Sequence, residues 1–399
     1  MNLKKFVALC CSSVIALASL FSLGLGGQAN ASGTPLYWCS FAGGSFNNPS
    51  NWSIVSGSCS NPSNLVPGSG DDLIFNASQA TSTGESIVND ISNLSLDSIT
   101  FVGSGTGSYT ISSSDITLAN GVTDTSSNGL TDQITSNINL SASQNISTSG
   151  SNKLVLSGNL NLGSNSATIS SGSSTITLAK LTGSGALNFA SPGSGIANYD
   201  VNTGNSSTFS GPVNISSNVN VSDTSGSLNG LGSGTITVNN GGSLTLNGGG
   251  NSGTLANNLV LSGSGDGSSN YGALISCLGS GGCSTSTINL TGTVTLSGNA
   301  QLVNGSYTPG NTPSSVATFN ISKLTANGHT LSAVGSSGTV INLIVAGGAS
   351  TKTPGSPNSG EGLIYSRTNL IILGTLLISS ALVIIGGFSK RSKTSPPKK

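Results

Sequence analysis

The twenty residues from Asn229 to Gly248, NGLGSGTITVNNGGSLTLNG, limit what this chain can fold into more than any other stretch. Ile236 and Val238 alternate with Thr235 and Thr237. After the turn-forming cluster Asn239-Asn240-Gly241-Gly242, Leu244 and Leu246 alternate with Ser243, Thr245 and Asn247. A period of two predicts half-buried strands with one aliphatic face and one hydroxyl and amide face. Two strands this short cannot bury an aliphatic face alone. They need similar units stacked above and below to make a continuous core, so the stretch predicts a β-solenoid.

Composition decides between order and low complexity. Of 399 residues, 57 are Gly and only 6% are charged, and Ser, Thr and Asn supply most of the polar side chains. Such a chain without periodicity stays flexible, but NKLVLSGNLNL from Asn152, TITL from Thr175 and TVTLSG from Thr293 alternate as strands do. From Ile74 to about Ala346 these phrases recur without a strict period, bounded by Gly-Ser, Asn-Gly and Gly-Gly corners. Coils of roughly 20 to 25 residues predict about eleven to thirteen turns and a rod about 55 to 60 Å long. Asn and Thr at outward and corner positions are suited to form ladders from coil to coil.

Together with Asn205 to Val221, NSSTFSGPVNISSNVNV, the opening stretch resembles the passenger repeat of bacterial autotransporter adhesins. A second phrase runs from Asn258 to Leu302, where NLVLSGSGDGSSNYGAL is followed by TINLTGTVTLSGNAQL. A third, NISKLTANGHTLSAVGSSGTVINL, runs from Asn320 to Leu343. The resemblance covers roughly a third of the chain. It implies an all-β, right-handed parallel β-helix.

Ahead of the solenoid lie two other units. Residues 1–31 have the parts of a secretory signal: Lys4 and Lys5, an apolar run from Phe6 to Leu25, and Ala29-Asn30-Ala31, which predict cleavage between Ala31 and Ser32. Cys10 and Cys11 lie too early for a lipoprotein. Residues 32–75 hold both tryptophans. There YWCSFAGGSFNNPSNWS and LVPGSGDDLIF resemble the opening phrase of many secreted bacterial β-helix proteins, carried here by Trp38, Asn47, Pro49, Asn51, Trp52, Val66, Pro67, Gly68, Gly70 and Asp71. Phe46 stands where a tryptophan is commoner. A solenoid end must be capped, and Trp38, Trp52, Pro67 and Asp71 are expected to build that cap, the indoles burying against Ile74 and neighbouring aliphatics. Stacking of the indoles on a sugar ring is the alternative. Asp71 is expected to accept backbone donors at the start of the first coil. In an exported chain Cys39, Cys59, Cys277 and Cys283 predict two disulfides. Of three possible pairings the local ones, Cys39 with Cys59 and Cys277 with Cys283, are the most economical.

The solenoid, residues 76–348, leads into a linker at 349–369 with no periodicity. Residues 370–388 are nineteen without charge, enough to span a bilayer core, and the basic tail 389–399 places that end in the cytoplasm. The linker, helix and tail resemble a sortase-read cell-wall sorting signal. Pro357, Asn358, Ser359 and Gly360 carry that likeness, with Ser356 and Ser359 where the motif has Leu and Thr. No barrel strands close the chain, which is where the autotransporter likeness ends.

From Ser32 to Ser366 acidic residues outnumber lysines by eight, and no arginine precedes Arg367. Phosphate binding requires a basic footprint, so nucleic acid is excluded as a partner. A single histidine, His329, excludes zinc spacing, and no cofactor motif is present. Glu85, Asp90, Asp97, Asp115, Asp124, Asp132, Asp200, Asp223 and Asp266 stand apart in different turns, and only Asp71-Asp72 are adjacent. The chain therefore reads as a non-enzymatic bacterial cell-surface protein, adhesin-like or a structural stalk, held by one C-terminal membrane span. Its expected partners are the membrane and a carbohydrate or a surface protein of a host or neighbouring cell. The alternative is a polysaccharide-binding or polysaccharide-cleaving β-helix, and three carboxylates in one groove beside Lys153, Lys180 or Lys323 would decide for it.

Overall fold

The computed structural model of the chain describes residues 33–60, 63–149, 151–172, 174–193, 195–202, 208–225, 228–247, 252–266, 272–276, 286–304, 316–334 and 340–345. Outside them lie the Ala31/Ser32 cleavage point, Cys277 and Cys283, the linker with Pro357, Asn358, Ser359 and Gly360, the span 370–388 and the basic tail.

Alternation becomes packing at once. In strands Ile236–Val238 and Gly242–Leu246 the side chains of Ile236, Val238, Leu244 and Leu246 are fully buried. Gly241, at φ +84°, takes the turn between them. Neighbouring coils stack in register: Ile236 sits between Val213 and Leu259, and Leu244 between Val221 and Leu274. Carried through the chain, this register gives an all-β parallel β-solenoid of about ten turns, roughly 50 Å long. That is fewer turns than the sequence predicts. Stacked partners are mostly 22 to 26 residues apart, but Asn258 and Thr293 are 35 apart, so some turns consume more residues than the 20 to 25 assumed.

A coil contributes short strands to three sheets, here called first, second and third. Asp72–Asn76, Gln144–Thr148, Ala167–Ser171 and Ile236–Val238 belong to the first. Glu85–Asn89, Tyr109–Ser113, Ala197–Val201 and Val219–Asp223 belong to the second, and Ile138–Leu140 to the third. Every named ladder is parallel except that of Pro35–Trp38 with Trp52–Ser53. Inside, side chains stack in columns. Leu73, Ile99 and Val122 start one, and Ile146, Ile169 and Phe189 continue it. Each such side chain contributes about 1.5 to 3 kcal/mol by burial.

Corners need polar partners and missing side chains. Asn128 Nδ2 donates to Gly105 O and Gly107 O at 2.7 Å each, and Asn257 Nδ2 donates to Gly232 O and Gly234 O at 3.1 and 2.7 Å. Strand Ile116–Asp124 bends from the third sheet into the first where its register against Leu94–Val102 shifts. Gly121 stands there at φ +98°, and a Cβ would lie 1.8 Å from Asn145 O. All three sheets carry asparagine ladders, with Nδ2 donating to the next Oδ1: Asn214 to Asn188 at 2.8 Å, Asn220 to Asn198 at 3.4 Å and Asn161 to Asn139 at 3.0 Å.

Candidate functional site

The N-terminal coil is closed by aromatic rings. Trp38, Phe46, Trp52 and Phe75 are each at most 1% exposed. Trp38 meets Trp52 edge-on at 5.0 Å between centroids, Phe46 lies 5.3 Å from Trp52, and Phe75 links this cluster to Phe101 at 5.5 Å. Trp52 Nε1 donates to Phe46 O at 2.9 Å, whereas Trp38 Nε1 is buried without a partner among the described residues. The expected packing on Ile74 is corrected by register. Tyr37 pairs with Ile74, so both point outward, and Trp38 comes beside Phe75 instead. Phe46, which stands where the opening phrase it resembles has a tryptophan, fills the space between the indoles and Phe75. Neither indole is accessible to a sugar ring.

The remaining residues of this region are structural ties. Cys39 and Cys59 form a disulfide, with Cα atoms 5.3 Å apart and a sequence separation of 20. Pro67 is buried. Asp71 Oδ1 accepts from Thr34 N at 3.2 Å and its Oδ2 from Gly68 N at 2.8 Å, which fixes the entry to the first coil. Asp90, missing from the expected cap, also belongs to it. Its carboxylate accepts from Ser45 Oγ at 2.6 Å and Asn47 N at 2.9 Å, and the Ser45 hydroxyl holds it below the usual carboxylate range.

The acids read as isolated in sequence do not stay so. Glu85, Asp97, Asp124, Asp132, Asp223 and Asp266 are buried. Glu85 and Tyr109 are register partners, and Tyr109 N donates to Asp132 Oδ1 at 2.8 Å, so an acid, a phenol and an acid stack inside the second sheet. Tyr109 Oη donates to Asn76 O at 2.7 Å, and burial pushes the phenol up. Asn152 braces the cluster. Its Nδ2 donates to Asp132 Oδ2 at 3.0 Å while its Oδ1 accepts from the backbone N–H groups of Asn128, Gly129 and Leu130. Asp124 faces them from the first sheet. Its Oδ1 accepts from Ser126 N at 2.8 Å, and its Oδ2 has no partner among the described residues. Burial, and then the Asp132 charge, push Asp124 up to about 7. Asp223 repeats the arrangement: Oδ1 accepts from Ser225 N at 3.0 Å and Oδ2 from Gly230 N at 3.2 Å, and burial pushes it up. The shared signal is Asp-Thr-Ser at 124–126 and 223–225, an Asx turn at a strand end.

A general acid or base must reach a substrate proton, and these carboxyls are enclosed in the core. On the surface Asp200 lies near Lys153, while Asp115 Oδ1 accepts from Asn137 Nδ2 at 2.9 Å. No group of three or more His, Cys, Asp or Glu among the described residues is placed to hold a metal ion.

What the molecule offers to solvent is its sheets. On the first sheet, outward residues form two ranks parallel to the solenoid axis. One includes Asn145, Thr168, Asn188, Asn214, Thr237, Val260 and Thr295. The other begins Tyr37 and Ile74 and continues through Thr100, Thr123, Ser147 and Ser170. At the head of the second rank is a cleft of about 30 Å³, lined by Tyr37, Ile74, Asn76 and Gln79 beneath Gly57. Among the described residues no helix is long and apolar enough to cross a membrane. No protein-family model, curated protein or solved structure matches the chain.

Proposed function

We propose that this chain is a non-enzymatic bacterial cell-surface protein, a stalk or adhesin-like body carried outward from a C-terminal membrane anchor. The observation that carries this reading is the stack itself: about ten coils, closed at the N-terminal end by aromatic rings, with six of its acids turned inward and no group of three or more His, Cys, Asp or Glu placed to hold a metal among the described residues. Such a rod spends its sequence on length and presented area. The finer reading is a right-handed β-helix, the hand that nearly all parallel crossovers take, like an autotransporter passenger but tethered by the uncharged run 370–388. The sorting-like phrase at Pro357, Asn358, Ser359 and Gly360 would add wall attachment. Cleavage of polysaccharide is disfavoured because Asp124, Asp132, Asp223 and Glu85 are shut inside the coils.

The test is topology. Protease added to intact cells is expected to remove the region from Ser32 to about Tyr365 and to spare a fragment ending at Lys399. Digestion of the basic tail ahead of the solenoid would overturn the orientation and the proposal with it.

A further inference from the structure

We propose that the first sheet is a docking face for a neutral, hydroxyl-bearing polysaccharide chain lying along the solenoid axis; this deepens the surface-protein reading by naming the face and the partner. Charge is the first argument. Acidic residues exceed lysines by eight between Ser32 and Ser366. Yet one outward rank carries no charged side chain from Ser98 to Thr325, nor does the other from Thr100 to Ala190. The second sheet presents Lys153 and Asp200, and the third presents Lys180, with Asp115 directly before its strand Ile116–Asp124 several coils away. Among outward side chains of the first sheet, charge is confined to the ends, Asp72 on the first strand pair and Lys323 on the last, while Asp124 points inward. A neutral window on an acidic body matches a neutral partner and repels neither end of it.

Chemistry and geometry narrow the partner. Protein interfaces rely on aromatic or Arg anchors set in pockets, whereas from Ser98 to Thr325 and from Thr100 to Ala190 these ranks hold mostly small hydroxyls and amides, with Gly121, Val260 and Ala190 among them and no aromatic or Arg side chain. Such groups suit a polymer that offers a hydroxyl at every unit and binds through many weak contacts. The in-register parallel stacking repeats those groups at roughly 4.8 Å. The hydrogen bond that Asn214 Nδ2 donates to Asn188 Oδ1 at 2.8 Å holds neighbouring side chains in one orientation before any ligand arrives, which lowers the ordering cost of binding. At the head of the second rank, Tyr37 and Ile74 give a partly apolar platform beside the amides of Asn76 and Gln79. Its 30 Å³ cleft has room for one or two waters, so it accepts a protruding hydroxyl and not a whole ring.

The purified full chain is to be passed over insoluble cellulose and chitin, both neutral, and over immobilised polygalacturonate, which is anionic. Retention on at least one neutral polymer and none on polygalacturonate is expected. Thr168→Glu with Thr237→Glu, which puts two carboxylates into the first rank, should weaken retention about tenfold or more. Thr177→Glu on the second sheet should leave it unchanged. Should the double Glu variant melt early, Asn214→Ala with Thr237→Ala removes two polar contacts of the same rank without adding charge and must show the loss. Four results would overturn the proposal: no retention of the wild-type chain on either neutral polymer, retention on polygalacturonate alone, equal loss with Thr177→Glu, or self-association abolished by the double Glu variant in a chain that retains no polysaccharide. Display and docking fail separately, since the protease test reports only topology and the column reports only this face.

Discussion

Asp124 occupies a place that the register gives to Phe101 one coil earlier and to Thr148 one coil later. A carboxylate in a column that began with Phe75 has lost its water, and Asp132 across the corner adds a like charge, so the proton stays on Asp124 up to about pH 7. Asp132, which accepts from Tyr109 N and Asn152 Nδ2, has both oxygens committed as acceptors. Linkage gives the sign. The folded pKa is raised above the unfolded one near 4, so this contribution is complete below about pH 4 and is lost as pH rises through about 7. The melting temperature should therefore fall between pH 4.5 and 8. Asp124→Asn keeps the acceptor for Ser126 N and replaces the unpartnered oxygen with an uncharged amide. Its melting temperature should exceed that of the wild type at pH 8, by on the order of a few kcal/mol in stability, and the pH dependence should flatten. Calorimetry at both pH values checks this. A variant that keeps the full pH slope would place the titration elsewhere.

At the scale of the element, the terminal coil is the test case. Trp38 and Trp52 are both buried, but among the described residues only the Trp52 indole N–H has a partner, Phe46 O. Truncating either to Ala should cost about 3 to 5 kcal/mol and expose strand edges that favour end-to-end association. Phe substitution separates them: Trp38→Phe removes an unsatisfied N–H and should be the milder change, while Trp52→Phe leaves Phe46 O without its donor and should cost about 1 kcal/mol or more beyond it. Thermal melts of the four variants decide it, and equal Phe effects would mean the hydrogen bond contributes nothing. Much of this element was legible: residue type pointed to the indoles and to the Cys39–Cys59 bridge as the most economical of three pairings, and the likeness of the opening phrase pointed to the backbone role of Asp71. The floor of the cluster was not. Leu73, Ile74 and Phe75 are three apolar residues in a row, so alternation does not say which of them turns inward until pairing with Pro35–Trp38 fixes it. A similar gap hid the acid cluster. Val122-Thr123-Asp124 has the inward parity of a strand, but polarity argued for the surface, and only stacking brings residues 23 apart, such as Tyr109 and Asp132, together. The first-sheet ranks were unreadable for the same reason, since a column exists only once the coil lengths are known.

Over the whole molecule, each coil touches only its neighbours, so stability is a sum of local terms and its weakest interface sets where the stack opens. Along the column at the junction of the first and second sheets, Phe75 and Phe101 give way to Asp124, Thr148 and Ser171. The facing column runs Glu85, Tyr109 and Asp132 before returning to Leu154 and Ile176. Aromatic packing resumes at Phe189 and Tyr199, 5.1 Å apart, where Tyr199 Oη accepts from Ser171 N and donates to Ala190 O. The middle coils thus replace apolar contact by hydrogen bonds, which contribute less when made and cost more when broken. Opening should begin there, between two better-packed halves, and not by fraying from the capped end. Hydrogen exchange on the full chain at one pH should show the slowest amides in Asp72–Asn76 and Leu94–Val102, and faster exchange in Gln144–Thr148 and at residues 123–131. Cys39→Ser with Cys59→Ser should speed exchange in the first coil while leaving the middle coils as they were, because the interfaces are separable. Uniform protection along the stack, or a middle segment slower than Asp72–Asn76, would mean that the polar corner is no weaker than the aromatic one and that the molecule opens as a single unit.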